Sequence, residues 1–262
     1  MKGERVESPF GCLSSNTIKL IACLAMLVDH IGLVIYPTDF GFRMVGRLAF
    51  PLFAFFIAEG CHYTGRKARR FLIIFSFGLF YLIFFRFMSG IFYANIFLTF
   101  SASILIIYAL DYAKLCCFSD CDAKKRIFSF LLLSFTVAAF YMLSERINFD
   151  YGFIGIMIPV MISLFDFRDL RVPHFLSGLD SYLGRIIMLV IGLIVLYLGY
   201  DHVYVYIFSF KVSIYLAYFL TPVILLFYNG KIGKYRMKYF FYAFYPLHLI
   251  AVYAVYVLIR LL

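Results

Sequence analysis

Apolar runs of about 15–25 residues recur along this chain, and short polar clusters separate them. A helix of about 20 apolar residues crosses the roughly 30 Å hydrocarbon core of a bilayer. Hydrophobic residues make up 65% of the 262 residues and charged residues 15%, whereas a soluble domain is about half apolar and a quarter charged. Because so few polar side chains cannot cover a globular surface, the sequence predicts an integral membrane protein.

The spacing of the runs predicts an all-α fold, a polytopic transmembrane helical bundle with about nine spans. The predicted spans are residues 17–36, 43–62, 71–88, 93–112, 127–143, 151–165, 183–200, 204–227 and 238–260. A short span and the Pro173-containing loop within residues 151–182 leave eight or ten spans as alternatives. The loops are short and the chain has no internal repeat, so we expect residues 1–262 to form a single domain.

Lys and Arg residues are concentrated in alternate loops. With the N-terminus in the cytoplasm, 17 of the 24 Lys and Arg residues fall on the inner side and 5 on the outer side. Cytoplasmic loops carry such an excess, so a cytoplasmic N-terminus is predicted. The net charge of +10 resides largely in these loops, where cations contact anionic membrane lipid, and nucleic acid is not an expected partner.

The six cysteines give no sign of a disulfide or a metal site. Five of them lie on or near the predicted cytoplasmic face, where thiols stay reduced. Cys116, Cys117 and Cys121 lie beside Asp120 and Asp122, but this spacing matches no zinc pattern. No metal is expected.

The first predicted span contains three ionisable residues, Lys19, Asp29 and His30. Such residues are costly in lipid and usually face a bundle interior or a water-filled cavity. Lys19 and His30 are three helical turns apart and share a face, whereas Asp29 is rotated by about 100° from His30 and is better placed to engage a neighbouring span. We interpret His30 as a general base or acid. The alternative is a helix-packing histidine, with Lys19 reaching the interface.

The second predicted span begins with Arg43 and Arg47, which are one turn apart on one face. Paired guanidinium groups suit recognition of a carboxylate, a phosphate or a carbonyl. The alternative is that these side chains extend to the membrane interface. Glu59 lies near the inner end of the same span and is interpreted either as an ion-pair partner or as a functional residue.

Further polar residues open other spans from the outer side. Asn95 opens the fourth span and Asp150 opens the sixth, while Tyr245 and His248 share a face near the middle of the last span. Polar side chains of this kind also join helices within membrane bundles, so each has a structural alternative.

Taken together, these motifs resemble the TraX family. The matching segments are Lys-Leu-Ile-Ala and Asp-His-Ile-Gly within 19–32, Arg-x-x-Gly-Arg-x-Ala-Phe-Pro-Leu-Phe-Ala-Phe at 43–55, Ile-Ala-Glu-Gly at 57–60, Asn-Ile-Phe-x-Thr at 95–99, Asp-Tyr-Gly at 150–152 and Phe-Tyr-Pro-Leu-His-Leu at 244–249. The resemblance implies acetylation of the N-terminus of conjugative pilin with acetyl-CoA, and a multi-pass protein of the bacterial inner membrane. It also implies kinship with wider transmembrane acyltransferases, one branch of which has an Arg where this chain has Lys19.

The leading hypothesis is therefore an acyl-CoA-dependent acyltransferase in which His30 acts as general base and Asp29 sets the local field. The acceptor is a peptide, a protein, a glycan or a small amine, and the expected residues around it are Arg43, Arg47, Asn95, Asp150, Tyr245 and His248. The expected acetyl-CoA contacts are Lys19, Glu59, Arg66, Lys67, Arg69 and Arg70. The alternative is a proton-coupled membrane transporter, because ionisable residues within spans also describe a proton relay.

The charge asymmetry leads to a prediction about topology. Reporters fused after Lys67, Lys125 and Lys234 should report the cytoplasm, and a reporter fused after Leu262 should report the outer side, as the positive-inside rule requires. A cytoplasmic reporter at Leu262 would contradict the odd number of spans.

Overall fold

The computed structural model describes residues 10–90, 94–167, 170–200, 203–207, 209–235 and 237–261. These residues are mostly helical. Lys2, Arg5, Arg168 and Arg236, which contribute to the charge count, and the C-terminal Leu262 lie outside the described residues. The helices are α1 Ser15–Val34, α2 Phe40–Gly46, α3 Ala49–Tyr63, α4 Lys67–Ser89, α5 Ile96–Phe118, α6 Ala123–Ser144, α7 Gly152–Ile162, α8 His174–Ser177, α9 Tyr182–Leu198, α10 Leu220–Leu226 and α11 Lys238–Leu261.

Five segments within the described part of the chain are long and apolar enough to cross a membrane. They are Ser15–Val34, Phe40–Tyr63, Ile96–Phe118, Ala123–Ser144 and Tyr239–Leu261. Shorter apolar helices occupy Gly152–Ile162, Tyr182–Leu198 and Ile214–Leu226. A helical membrane protein is therefore supported, while the number of crossings and the side of the N-terminus stay predictions.

Exposed apolar faces agree with contact to lipid. On α6, Ile127, Leu131 and Phe135 recur at every fourth position and have 62%, 63% and 72% of their surface exposed. Positions four apart lie on one face of a helix, and a continuous apolar face of this kind marks a membrane or protein interface.

The predicted span at 204–227 is wrong as a continuous helix. It forms an antiparallel hairpin of β1 Tyr204–Ile207 and β2 Phe210–Ser213, followed by a 3-10 helix at Ile214–Phe219 and by α10. The segment is rich in β-branched and aromatic residues, which favour strands, and a short apolar run does not by itself distinguish a strand from a buried helix. Ser213 begins the 3-10 helix, because its hydroxyl accepts a hydrogen bond from the Tyr215 N–H at 3.4 Å.

The predicted span at 43–62 lies within the candidate membrane span Phe40–Tyr63, which a turn at Arg47 and Leu48 divides into α2 and α3. Pro51 follows within the first turn of α3, where a helix has no acceptor for the backbone N–H groups and the missing N–H of proline costs nothing. The break makes α2 a separate short helix, and its residues Arg43 and Gly46 both contact Asp29 of α1.

The chain forms two compact units, with boundaries inside α3 and α9. Among the described residues, the central unit is residues 54–192, and the terminal unit combines residues 10–53 with residues from Leu193 onwards. The single domain of residues 1–262 stays a prediction.

In the central unit, α5 packs against α4, α6 and α7. Hydroxyl groups on α5 join it to its neighbours: Ser103 donates to the carbonyl oxygen of Ile156 at 2.7 Å, and Thr99 donates to that of Asp150 at 3.1 Å. Small polar residues let helices in membranes approach closely and form hydrogen bonds between them, so α5 is the core helix of this unit.

In the terminal unit, α1 packs against α2 and α11. Ser14 caps α1, because its hydroxyl accepts a hydrogen bond from the Thr17 N–H at 3.2 Å. Two glycines allow the close approach of α1 and α2: Gly32 faces Phe42, and Gly46 faces the carboxylate of Asp29. A methyl group at Gly46 would overlap that carboxylate.

We therefore expect Gly46→Ala to lower the free energy of unfolding by roughly 1–3 kcal/mol, the usual cost of overpacking a close contact. Gly178→Ala is the matched control, because no atom lies within 4 Å of the added methyl group. Thermal unfolding of the purified variants measures both. Equal unfolding temperatures for Gly46→Ala and Gly178→Ala would contradict the close packing of α1 on α2.

Candidate functional site

An ion-pair cluster joins α1 to the segment that follows it. Arg43 donates a hydrogen bond from Nη1 to Asp29 Oδ2 at 2.7 Å, and Arg47 Nη2 lies 3.8 Å from Asp29 Oδ1. The rotation of Asp29 away from His30 predicts a partner on a neighbouring segment, and this prediction is confirmed. Two guanidinium groups around one carboxylate leave a net positive charge at this place.

The second feature is a pair of histidines that sequence reasoning did not bring together. His248 Nε2 lies 3.3 Å from His30 Nδ1, and the two rings meet edge to face with centroids 4.8 Å apart. His30 comes from α1 and His248 from α11, which are 218 residues apart in sequence. Nothing in either helix alone indicates this contact.

Backbone carbonyl groups determine which nitrogen of each ring carries the proton. His30 Nδ1 lies 2.8 Å from the Met26 carbonyl oxygen, and His248 Nδ1 lies 2.9 Å from the Phe244 carbonyl oxygen. A carbonyl only accepts hydrogen bonds, so each Nδ1 is the donor and Nε2 of each neutral ring bears a lone pair. This assignment follows from the hydrogen-bond network, and it leaves His30 Nε2 able to take up a proton.

Aromatic side chains hold the ring of His248. It stacks on Phe244 at 5.1 Å and meets Tyr245 edge to face at 5.6 Å, and only 4% of the residue is exposed. Phe241 lies on α11 as His248 does, and the centre of its ring is 5.8 Å from Lys19 Nζ of α1. The face of α11 that bears Tyr245 and His248 therefore contacts α1.

Tyrosines of the 3-10 helix surround Arg47. The Arg47 guanidinium lies 5.6 Å over the ring of Tyr215, which stacks with Tyr200 and with Tyr218. Arg47 is thus positioned between the Asp29 carboxylate and an aromatic face. Sequence reasoning missed these tyrosines because it assigned residues 204–227 to a continuous span; the three-residue spacing of Tyr215 and Tyr218 was the available signal.

The predicted residues Asn95 and Asp150 lie in the central unit. Asn95 caps α5 through a hydrogen bond from the Phe97 N–H, and its amide also donates to the Gly78 carbonyl oxygen at 2.9 Å. The backbone N–H of Asp150 donates to the carbonyl oxygen of Ala94. These contacts give both residues places in the packing of α4, α5 and the segment before α7, and their roles toward an acceptor stay predictions.

The basic segment before and within the first turn of α4 is partly engaged by the protein itself. Arg70 donates to the carbonyl oxygens of Phe56 and Ile57 at 3.4 and 3.2 Å. Lys67 pairs with Asp111 at 3.2 Å. Arg66 and Arg69 are exposed. Binding of acetyl-CoA by these four cations stays a prediction.

A second ionic cluster lies in the central unit. His62 Nδ1 is 2.8 Å from Asp166 Oδ2, and Arg185 Nη2 is 3.6 Å from Asp166 Oδ1. Lys114 Nζ donates to the carbonyl oxygens of Ser163 and Asp166 at 2.5 and 3.1 Å. Lys114 and Arg185, which the charge count places with the basic residues of the inner side, are buried within α5 and α9.

The family model described as TraX protein matches residues 14–256. The chain belongs to the TraX family. An uncharacterized protein of Rickettsia prowazekii (strain Madrid E) is 38% identical over 58 residues, which are 22% of this chain and 23% of that protein. The matched part thus spans about a quarter of that relative. No solved structure matches the chain. The family resemblance inferred from the motifs is confirmed.

The ion pair between α1 and α2 leads to a prediction about stability. Asp29→Asn and Arg43→Gln should each destabilise this TraX protein, and together they should cost less than the sum of the two, with a coupling of at least about 0.5 kcal/mol, as for residues in direct contact. Unfolding of the two single variants and the double variant measures the coupling. Strict additivity would show that the two side chains do not interact.

Proposed function

We propose that the protein is an acyl-CoA-dependent acyltransferase of the bacterial inner membrane. It moves an acetyl group from acetyl-CoA to an amine or hydroxyl acceptor. Membership of the TraX family supports a modifying enzyme, and the geometry of His30 carries the chemical part of the proposal. The observation that matters most is the hydrogen bond from His30 Nδ1 to the Met26 carbonyl oxygen, which leaves Nε2 as a base.

In the proposed reaction, His30 Nε2 takes the proton from the acceptor as the acceptor nitrogen or oxygen attacks the thioester carbonyl carbon. The carbon–sulfur bond then breaks, and the CoA sulfur leaves with the proton returned from His30. While His30 is protonated, its Nδ1–H donates more strongly to Met26 and His248.

The two arginines supply the positive charge that the tetrahedral intermediate requires. Asp29 balances one of the two charges, so the cluster of Asp29, Arg43 and Arg47 keeps one net positive charge. Fixed cationic donors stabilise a developing oxyanion strongly in a site that excludes water. Because Tyr215 and Asp29 position its guanidinium, Arg47 is the better placed of the two for this role, and Arg43 binds Asp29.

The remaining assignments follow the expected sides of the membrane. Acetyl-CoA would approach from the cytoplasm, and the residues proposed to meet it are Lys19, Glu59, Arg66, Lys67, Arg69 and Arg70. The acceptor, which is a peptide or protein N-terminus, a glycan or a small amine, would meet Asn95, Asp150 and Tyr245. His248 is assigned as the partner of His30.

A proton-coupled transporter is the second candidate, and the buried cluster of the central unit favours it. His62, Lys114, Asp166 and Arg185 are ionisable groups in contact within an apolar bundle, which is also how proton relays are built. Proton movement and acetyl-CoA consumption, measured in vesicles that contain the protein, distinguish the two candidates. A transporter moves protons across the vesicle membrane without consuming acetyl-CoA.

The proposed chemistry predicts large losses of activity from two substitutions. His30→Ala and Arg47→Ala should each lower acetyl transfer from radiolabelled acetyl-CoA at least ~100-fold, the lower end of general-base contributions. His174→Ala is the control, because His174 is exposed on α8 and has no part in the proposed chemistry, so the rate should be unchanged. Turnover like that of the wild type in His30→Ala would leave His30 with a structural role and contradict the mechanism.

A further inference from the structure

The hairpin of β1 and β2 in the terminal unit exposes aromatic side chains. Tyr206 has 76% of its surface exposed, Phe210 has 74% and Tyr204 has 42%. Tyr206 lies opposite Lys211 in the register of the hairpin, so Phe210, the neighbour of Lys211, is on the other face, and rings project from both faces near the turn. Because burial of apolar surface is favourable by about 25 cal/mol per Å², this arrangement indicates surroundings other than water.

The backbone of the hairpin excludes the hydrocarbon core of the bilayer. Within the described residues the sheet has two strands, so each strand has one edge that the other strand does not cover. Open sheet edges do not occur against lipid tails, because no water is present there to form hydrogen bonds with N–H and carbonyl groups. The hairpin therefore needs surroundings that form hydrogen bonds and also cover aromatic rings.

Lys211 adds a cation to the same surface. Its side chain is exposed, and its Nζ lies 4.3 Å from the centre of the Tyr204 ring. It is the one charged residue of the stretch 203–213, while Asp201, which precedes this stretch, lies outside the described residues. Lysine and tyrosine together suit the interface between membrane and water, because their apolar parts are buried while the ammonium and hydroxyl groups reach the polar layer.

Apolar helices precede and follow the hairpin in the chain. α9 ends at Leu198, and the apolar helical stretch Ile214–Leu226 begins directly after β2. Ser213 both ends β2 and caps the 3-10 helix that opens this stretch. A helix embedded in lipid ends where the headgroups begin, so a segment that connects two such helices belongs at the edge of the bilayer.

The headgroup layer of the bilayer meets all these requirements. We propose that the hairpin lies in this layer, with the rings of Tyr206 and Phe210 among the lipid glycerol groups and with Lys211 Nζ bound to a lipid phosphate. Tyr215 is two residues beyond Ser213, about 4 Å along a 3-10 helix, so its ring and the Arg47 guanidinium over it lie close to the same layer. This placement does not depend on the proposed acyl transfer.

A single introduced tryptophan reports the depth of the hairpin, because the chain has no tryptophan of its own. In nanodiscs, a nitroxide on the lipid headgroup should quench the fluorescence of Tyr206→Trp at least about twofold more than a nitroxide near the end of the acyl chain, as expected for an interfacial aromatic residue. Phe135→Trp, from the exposed apolar face of α6, is the matched reference and should show the reverse order. Phe210→Trp repeats the measurement if Tyr206→Trp does not fold.

Three results would overturn this placement. Strong quenching of Tyr206→Trp by aqueous iodide, with little effect of either lipid label, would place the hairpin in water. Stronger quenching by the acyl-chain label would place it in the hydrocarbon core. Shielding from all three quenchers would show that protein covers the hairpin, either a second copy of the chain or another partner.

The contact of Lys211 with phosphate is tested in the same Tyr206→Trp protein, in nanodiscs of phosphatidylglycerol. Lys211→Glu should lower the quenching by the headgroup label at least about twofold, because anionic lipid attracts a lysine near the surface and repels a carboxylate. Lys211→Arg keeps the positive charge and should leave the quenching unchanged. Equal quenching in Lys211→Glu and Lys211→Arg would overturn the assignment of Lys211 to a lipid phosphate.

Discussion

Charged side chains inside an apolar bundle must find their partners within the protein, and this requirement organises the terminal unit. Asp29 would be costly on a lipid-facing helix, and it is stabilised by Arg43 and Arg47 on the segment that follows α1. The glycine at position 46 lets that segment approach closely enough for the ion pair. The same contact leaves His30, the next residue, facing α11 and His248.

The same requirement explains the central unit. Asp166 gathers His62 and Arg185 around its carboxylate, while Lys114 donates to the backbone carbonyl groups near it. Removing one partner of a buried ion pair leaves an uncompensated charge, so substitution of any one member is expected to destabilise the protein. Each unit therefore contains a cluster in which ionisable groups from separate segments meet.

Much of the helical architecture was predictable from the sequence, because apolar runs of the right length correspond to α1, α5, α6 and α11. The contact of Asp29 with a neighbouring segment was also predictable, since helix geometry fixes an angle of about 100° between the side chains of Asp29 and His30. The hairpin at 204–213 was not predictable, because an apolar run of aromatic and β-branched residues suits a strand as well as a membrane-spanning helix. The contact of His30 with His248 and the burial of Arg185 could not be foreseen, since each depends on partners far along the chain.

The central claim is that His30 carries its proton on Nδ1 and presents Nε2 as the base. Nitrogen NMR of protein labelled with ¹⁵N-histidine tests this directly, and His30→Gln and His248→Gln variants assign two of the five histidines. The structure predicts protonated Nδ1 and unprotonated Nε2 for both residues at neutral pH, because the Met26 and Phe244 carbonyl oxygens only accept. A His30 ring protonated on Nε2 and bare on Nδ1 would contradict the account.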